Sequence, residues 1–98
     1  MTLLDSDLHH APSAIVLIPV FNDWEALERL FWSLDKTFQE HGIRADILIV
    51  DDASIVPAPN DLKFFSFKAI EKVSILELKR NLGHQRAIAI GLAYVAAN

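Results

Sequence analysis

The amino-acid sequence predicts an α/β fold in which a three-stranded parallel sheet is built from a βαβαβα succession. Short apolar runs rich in β-branched residues alternate with longer stretches in which apolar residues recur at helical spacing. Strands that are separated by helices pair in parallel through right-handed crossovers. The length of 98 residues allows at most one small domain.

Residues 1–13 precede the first apolar run, and we interpret them as a flexible arm. The continuous apolar run Ala14–Val20 is typical of a strand that is buried on both faces. Asn22 is followed three residues later by Glu25, a spacing that predicts a helix N-cap at Asn22. Apolar residues at helical spacing then predict a helix at about 23–40.

A second buried strand is predicted at Ala45–Val50 and a third at Val73–Lys79, with a short helix at Asp61–Ile70 between them. The final stretch, His84–Ala97, is apolar nearly all round, which predicts a helix buried on more than one side. Gly91 lies inside this helix, where glycine is unfavourable. Close packing of the helix on the sheet would explain its presence.

Composition and charge exclude several functional classes. The net charge of −4 argues against nucleic acid as a partner, because phosphate neutralisation requires a basic face. The absence of cysteine excludes disulfide scaffolds and zinc–thiolate sites. The longest apolar stretch, Ala14–Phe21, is far shorter than the ~20 residues of a membrane-spanning helix, and the amino terminus lacks a signal-peptide pattern. We therefore expect a cytoplasmic protein.

Polar or unusual residues follow each of the predicted strands. Phe21 and Asn22 follow the first strand, Asp51–Asp52 the second and Lys79–Arg86 the third. Open parallel sheets bind ligands beyond the carboxyl ends of their strands. We therefore expect these residues to lie on one rim of the sheet and to form a binding site.

For the first two groups, a binding role and a structural role are both open. A carboxylate of Asp51 or Asp52 could accept hydrogen bonds from a base or a ribose, although aspartate is also common in turns after strands. Phe21 could stack on a nucleobase, or it could pack as a hydrophobic staple on the helix that follows.

The third group is a basic island in an acidic chain. Lys79, Arg80 and Arg86 surround Gly83 and a predicted helix start, and the free N–H groups of helix N-termini attract anions. Gly83 would let the backbone approach a ligand closely. A diphosphate is the ligand that fits these features best, and a solvated charged turn is the alternative.

Three segments carry a family resemblance, and they occur in the order IVLIPVFNDWEALERLFWSL, ILIVDDAS and LKRNLGHQRAIAIGLAYV. They resemble the opening of the family 2 glycosyltransferases. The stretch RNLGHQRAIAIGL is most similar to the polyprenyl-phosphate branch, which includes dolichyl-phosphate mannose synthases and bactoprenol glucosyltransferases. The resemblance implies a partial GT-A (Rossmann-like) unit, with residues 14–98 as the truncated nucleotide-sugar-binding half of the domain.

The resemblance implies a nucleotide-binding role for a set of rim residues: Pro19, Phe21, Asp51, Asp52, Asn81, Gly83 and Arg86. Pro19 and Phe21 match the motif that cradles the base, with Phe where the family usually has Tyr. Asp52 matches the carboxylate that recognises the base, and Asp51 matches the partner that orders the pocket. Ala53 stands where the family usually has glycine, so a positive φ would strain it.

The family's metal motif, Asp-x-Asp, and its acceptor-side region have no counterpart in the sequence. We therefore assign no catalytic residue, metal ligand or cofactor to this chain, and we expect it to be inactive alone. In a complete enzyme the resemblance implies Mg²⁺ or Mn²⁺ and a UDP- or GDP-linked sugar as donor. It also implies a lipid phosphate as acceptor, at the cytoplasmic face of a membrane.

Three interpretations remain open: a fragment of a sugar-nucleotide transferase, a non-catalytic nucleotide-binding or interaction module, and an unrelated doubly wound protein. The last is disfavoured, because the first strand is followed by neither G-x-G-x-x-G nor a P-loop. The uncharged run Ile15–Val20 would form an exposed sheet edge without a further strand beside it. Because such edges pair with other chains, we expect self-association through it.

Overall fold

The computed structural model describes residues 14–62 and 66–97, and the predicted arm at 1–13 lies outside them. Three strands and two helices follow one another in the described part: β1 (Ala14–Val20), α1 (Trp24–Glu40), β2 (Ala45–Asp51), β3 (Ile70–Glu77) and α2 (His84–Ala97). The strands form one sheet in the order β1-β2-β3, and both pairings are parallel. The α/β class and the three-stranded parallel sheet are therefore confirmed.

The last residues of β1 and β3 both pair with the last residue of the central strand, β2. Ala14 lies opposite Ala45 and Val20 lies opposite Asp51, so β1 and β2 pair in an unbroken register. Asp51 lies opposite Glu77 of β3. The register between β2 and β3 shifts once, between Ala45 and Asp46. The carboxyl ends of the three strands consequently share one rim.

The core consists of two layers, one on each face of the sheet, because successive side chains of a strand point to opposite faces. One buried cluster joins α1 to the sheet through Trp24, Leu27, Phe31, Ile47 and Ile49. A smaller buried cluster joins α2 to the sheet through Leu48, Val50 and Ala87. Both faces of β2 are thereby covered, as its apolar sequence predicts.

Gly91 marks the closest approach of α2 to the sheet. A Cβ atom built at this position would lie 2.5 Å from Leu17 Cδ1 and 2.8 Å from Val50 Cγ2. No side chain fits there unless its neighbours move. The expected close packing of this helix is confirmed.

The helix predicted at Asp61–Ile70 is wrong over its described second half. Residues 66–69 are not helical, and Ile70 is already the first residue of β3. The cause is Asp35 of α1, whose buried carboxylate accepts the backbone N–H groups of Lys68, Ala69 and Ile70. Because these donors are engaged by a side chain, they are not available to an α-helix, and β3 begins at Ile70, earlier than its sequence predicts.

The N-cap of α1 is Asp23 rather than the predicted Asn22. Asp23 Oδ1 accepts the N–H of Ala26 at 3.2 Å, as an N-cap side chain does. Asn22 has a left-handed backbone with φ of 68° and bonds elsewhere. Neither helix in the described ranges combines the length and the apolarity needed to cross a membrane.

Candidate functional site

The turns that follow the three strands meet at the shared rim and are joined by hydrogen bonds. Asp52 N–H donates to Val20 O at 2.8 Å, which continues the pairing of β1 and β2 past the end of β2. Leu78 N–H donates to Asp51 O at 2.9 Å, which does the same for β2 and β3. The turns therefore start from fixed positions relative to one another.

Asn22 connects the turn after β1 to the loop after β2. Its Oδ1 accepts the N–H groups of Ile55 at 2.7 Å and Val56 at 2.9 Å. Its own N–H donates to Ser54 Oγ at 2.8 Å. The left-handed conformation at Asn22 is one that asparagine tolerates better than most residues. Beyond the last backbone pairs of β1 and β2, the Asn22 side chain thus provides the hydrogen bonds between the two segments.

The turn after β2 has the strained geometry that the sequence raised as a possibility. Ala53 has φ of 59°, in the left-handed region that favours glycine. Asp51 Oδ1 accepts the N–H of Ser54 at 2.9 Å and closes the turn around Ala53. Trp24 Nε1 donates to Val56 O at 2.8 Å and holds the far side of the same loop. Several independent contacts therefore fix this strained residue in place.

Asp52 connects the end of β2 to the turn after β3. The residue is fully buried, with 0% of its surface exposed. Its Oδ1 accepts the N–H of Leu82 at 2.7 Å, and its Oδ2 accepts the N–H of Gly83 at 2.9 Å. Asn81 Nδ2 donates to Oδ2 and to the backbone carbonyl of Asp52, each at 3.2 Å. Both carboxylate oxygens are thus engaged by one turn.

Pro19 and Phe21 line a cleft of about 330 Å³. Ile18 and Val20 of β1 also line it, and the remaining walls come from α1 and the start of α2: Asp23, Ala26, Leu27, Leu30 and His84. Phe21 is 37% exposed and lines this cleft. The cleft combines apolar walls with one carboxylate and one imidazole, which suits a flat, partly polar ring.

The predicted basic group lies in the turn after β3 and in the first turn of α2, whose first residue, His84, lines this cleft. Lys79, Arg80 and Arg86 are exposed, and none of them forms an ion pair within residues 14–62 and 66–97. Gly83 has φ of 89°, and a Cβ built there would meet nothing within 4 Å. Glycine is therefore needed here for its backbone conformation rather than for space. Asn81 is exposed at the same turn.

Two rim residues, Asn22 and His84, belonged to the expected rim clusters but were given no individual role in the site by the sequence analysis. Asn22 was interpreted as a helix cap, although an asparagine directly after a strand also fits a left-handed turn. His84 was counted as the first residue of a helix, although it follows a glycine turn and contributes to the cleft. The signal in both cases was a polar residue at the end of a strand or at the start of a helix.

The carboxylates of the rim do not form a metal site. Within the described parts of the chain, no group of three or more His, Cys, Asp or Glu side chains is arranged to hold a metal ion. Asp51 and Asp52 lie side by side, but their oxygens accept N–H groups from Ser54, Leu82 and Gly83. Residues that bind backbone donors in this way do not fit Mg²⁺ or Mn²⁺, which prefer several free oxygen ligands.

The sequence was compared with solved structures and with models of protein families. No solved structure matches the chain. The family model described as Glycosyl transferase family 2 matches residues 15–98, which include all of the described strands and helices except Ala14, and every rim residue named above. The chain belongs to glycosyl transferase family 2.

Proposed function

We propose that the rim binds the nucleoside diphosphate part of a UDP- or GDP-linked sugar, and that the chain is the donor-binding front part of a glycosyltransferase. One observation carries the proposal: a cleft with an accessible aromatic ring lies next to a glycine turn and a basic helix start. A nucleoside diphosphate has the same two parts, a flat base and an anionic tail. Membership of the glycosyl transferase family agrees with this donor.

In this proposal the base occupies the cleft lined by Pro19 and Phe21. Stacking of a base on an aromatic ring contributes roughly 1–3 kcal/mol in nucleic-acid complexes, and it requires no hydroxyl group. Phenylalanine can therefore serve where tyrosine is usual in the family. Asp51 orders the pocket indirectly, since its Oδ1 closes the turn on which Ser54 lies.

The diphosphate lies at the start of α2, near Asn81, Gly83 and Arg86. The first N–H groups of a helix have no partner within the helix, and they favour an anion together with the helix dipole. Arg86 is exposed in the first turn of α2, where a cation disfavours the helix itself. A bound phosphate would offset that cost and would give Arg86 a bidentate partner.

In the complete enzyme the sugar is transferred to an acceptor, for which we propose a polyprenyl phosphate at the cytoplasmic face of a membrane. The support for this acceptor is the resemblance of the segment RNLGHQRAIAIGL to that branch of the family. Any Mg²⁺ or Mn²⁺ that assists the departure of the diphosphate would be held by carboxylates other than those of the described rim.

Isothermal titration calorimetry tests the binding proposal. We expect UDP or GDP to bind and the free sugars not to bind, because the rim offers sites for a base and a diphosphate. Arg86→Gln should weaken nucleotide binding by about tenfold or more, as the loss of a charged hydrogen bond does. Arg29→Gln is the matched control, since Arg29 is an exposed helical arginine that pairs with Glu25. Absence of binding by both nucleotides would refute the proposal.

A further inference from the structure

The carboxylate of Asp52 is fully buried, and both of its oxygens accept hydrogen bonds from neighbouring residues. Leu82 N–H and Gly83 N–H each bond to a different oxygen, and the Asn81 amide adds a further contact. No surface of the residue is exposed to a ligand in the cleft. A base could contact this carboxylate only after the turn had moved away.

The turn that Asp52 holds is the one from which α2 starts. Gly83 has a left-handed backbone, and its carbonyl accepts the N–H of Ala87 at 2.9 Å, as the first hydrogen bond of the helix. Asp52 fixes the N–H of Gly83 at the same time. The direction in which α2 leaves the rim, and with it the position of Arg86, therefore depends on this carboxylate.

We propose that Asp52 is a positioning residue that sets the phosphate-binding start of α2. The inference rests on the proposed function, because it assigns the diphosphate to the Gly83–Arg86 region. It gives Asp52 a different action from the base recognition that the family resemblance implies. If Asp52 positions the phosphate site, its substitution should weaken binding of every ligand that carries a diphosphate. If Asp52 recognises the base, the loss of affinity should depend on which base the ligand carries.

Amide hydrogen exchange of the free protein tests the positioning role without any ligand. In Asp52→Asn the side chain keeps its shape but has one acceptor oxygen, so it cannot serve Leu82 and Gly83 on separate atoms. We expect exchange at these two amides to accelerate by about tenfold or more, as the loss of a buried charged hydrogen bond implies. Asp46→Asn, at the opposite end of β2, is the control and should leave both amides unchanged.

Titration with UDP, GDP and inorganic pyrophosphate then separates positioning from base recognition. We expect Asp52→Asn to weaken all three by the same factor, because the damaged element is the phosphate site. Unequal losses for UDP and GDP, with pyrophosphate unaffected, would overturn the inference and assign Asp52 to the base. Failure of the unmodified protein to bind any of the three would refute the proposed function, and the exchange data would still decide whether Asp52 holds the turn.

Asn81→Ala provides a second variant if Asp52→Asn does not fold. It removes one donor to Asp52 from an exposed position and leaves the carboxylate itself intact. We expect a smaller acceleration of exchange at Gly83 and an equal, smaller loss of affinity for the three ligands. Unchanged exchange at Leu82 and Gly83 in both variants would contradict the inference.

Discussion

At the scale of single residues, Asp35 of α1 fixes the segment that leads into β3 through three long-range hydrogen bonds. It is 6% exposed, and its carboxylate accepts N–H groups from Ala69 at 2.7 Å, Ile70 at 2.9 Å and Lys68 at 3.1 Å. Burial by itself raises the pKa of Asp35, but the three backbone donors and the Lys68 charge outweigh it and lower the pKa below its ordinary value. The ionised form therefore stabilises the fold.

Asp35→Ala should lower the free energy of unfolding by about 2–3 kcal/mol at pH 7, because buried N–H donors lose a charged acceptor. Because folding lowers the pKa of Asp35, the contribution of its carboxylate to the free energy of unfolding decreases as the pH falls. The stabilisation is complete above the unfolded-state pKa, which is about 3.9, and it is lost as the pH falls through the folded-state value. Urea unfolding at pH 7 and pH 3 should show the difference between the two proteins shrinking in acid. Lys36→Ala, an exposed neighbour, is the control. A difference that grows in acid would contradict this account.

Ala53 is the residue for which replacement should be beneficial. In the folded state, the φ of 59° costs roughly 1–2 kcal/mol for a residue with a Cβ. Replacement by glycine removes that cost but lowers stability by about 0.4–1 kcal/mol, because glycine gives the unfolded chain more conformational entropy. Ala53→Gly should therefore raise the free energy of unfolding by up to ~1 kcal/mol. Ala93→Gly, in the middle of α2, should lower it by about the same amount. Chemical denaturation measures both, and destabilisation by Ala53→Gly would show that the turn is not strained.

Residue-level roles were the hardest to predict from the sequence. A positive φ at Ala53 was raised because the family resemblance places a glycine there. The bonds of Asp35 could not be foreseen, because an aspartate among charged helix residues looks like part of a solvated face, and its partners lie 33–35 residues away along the chain. Burial and long-range pairing are properties of the folded chain, which local patterns do not contain.

At the scale of elements, the sequence was most informative where apolar patterning was strong. The bounds of β1 and α2 agree with the prediction, since both are rich in apolar residues and lie between polar turns. The predicted burial of α2 on more than one side is wrong, because its buried residues, Ala87 and Gly91, lie on one side. The segment at Asp61–Ile70 has only weak helical spacing, and the carboxylate of Asp35 determines its course instead. A prediction from periodicity fails where a distant side chain competes for the backbone N–H groups.

The packing of α2 on the sheet makes Gly91→Ala destabilising, although alanine favours helices by about 1 kcal/mol over glycine. The new Cβ would lie 2.5 Å from Leu17 Cδ1, and such overpacking typically costs about 1–3 kcal/mol. The double variant tests the cause. In a Leu17→Ala background the nearer of the two obstructing side chains is gone and only Val50 remains, so Gly91→Ala should become less harmful. Equal effects in both backgrounds, measured by denaturation, would show that Leu17 is not the obstacle.

At the scale of the whole molecule, the described sheet has an apolar edge and an apolar helix face that residues 14–62 and 66–97 leave uncovered. β1 carries no charged residue and pairs on one side alone within the described sheet, and Ile15 is 52% exposed. On α2, Ile88, Ile90 and Leu92 are exposed as well. Apolar surface of this kind together with an open strand edge favours association between chains.

We therefore expect the 98-residue chain to self-associate through β1. Size-exclusion chromatography with light scattering should detect species larger than 11.0 kDa, and Ile15→Lys should reduce them because a charge on an edge strand blocks pairing. Val56→Lys places the same charge on an exposed loop residue and should leave association unchanged. A stable monomer at high concentration would contradict the expectation.

The central claim is that a nucleoside diphosphate binds at the carboxyl rim of the sheet, with its base against Phe21 and its phosphates at the start of α2. Titration of the ¹⁵N-labelled protein with UDP or GDP, followed by amide chemical shifts, tests it most directly. We predict shifts concentrated at Phe21, Gly83 and Arg86, with Ile43 and Ala69 at the opposite end of the sheet unaffected. Shifts confined to that opposite end, or none at saturating nucleotide, would contradict the claim.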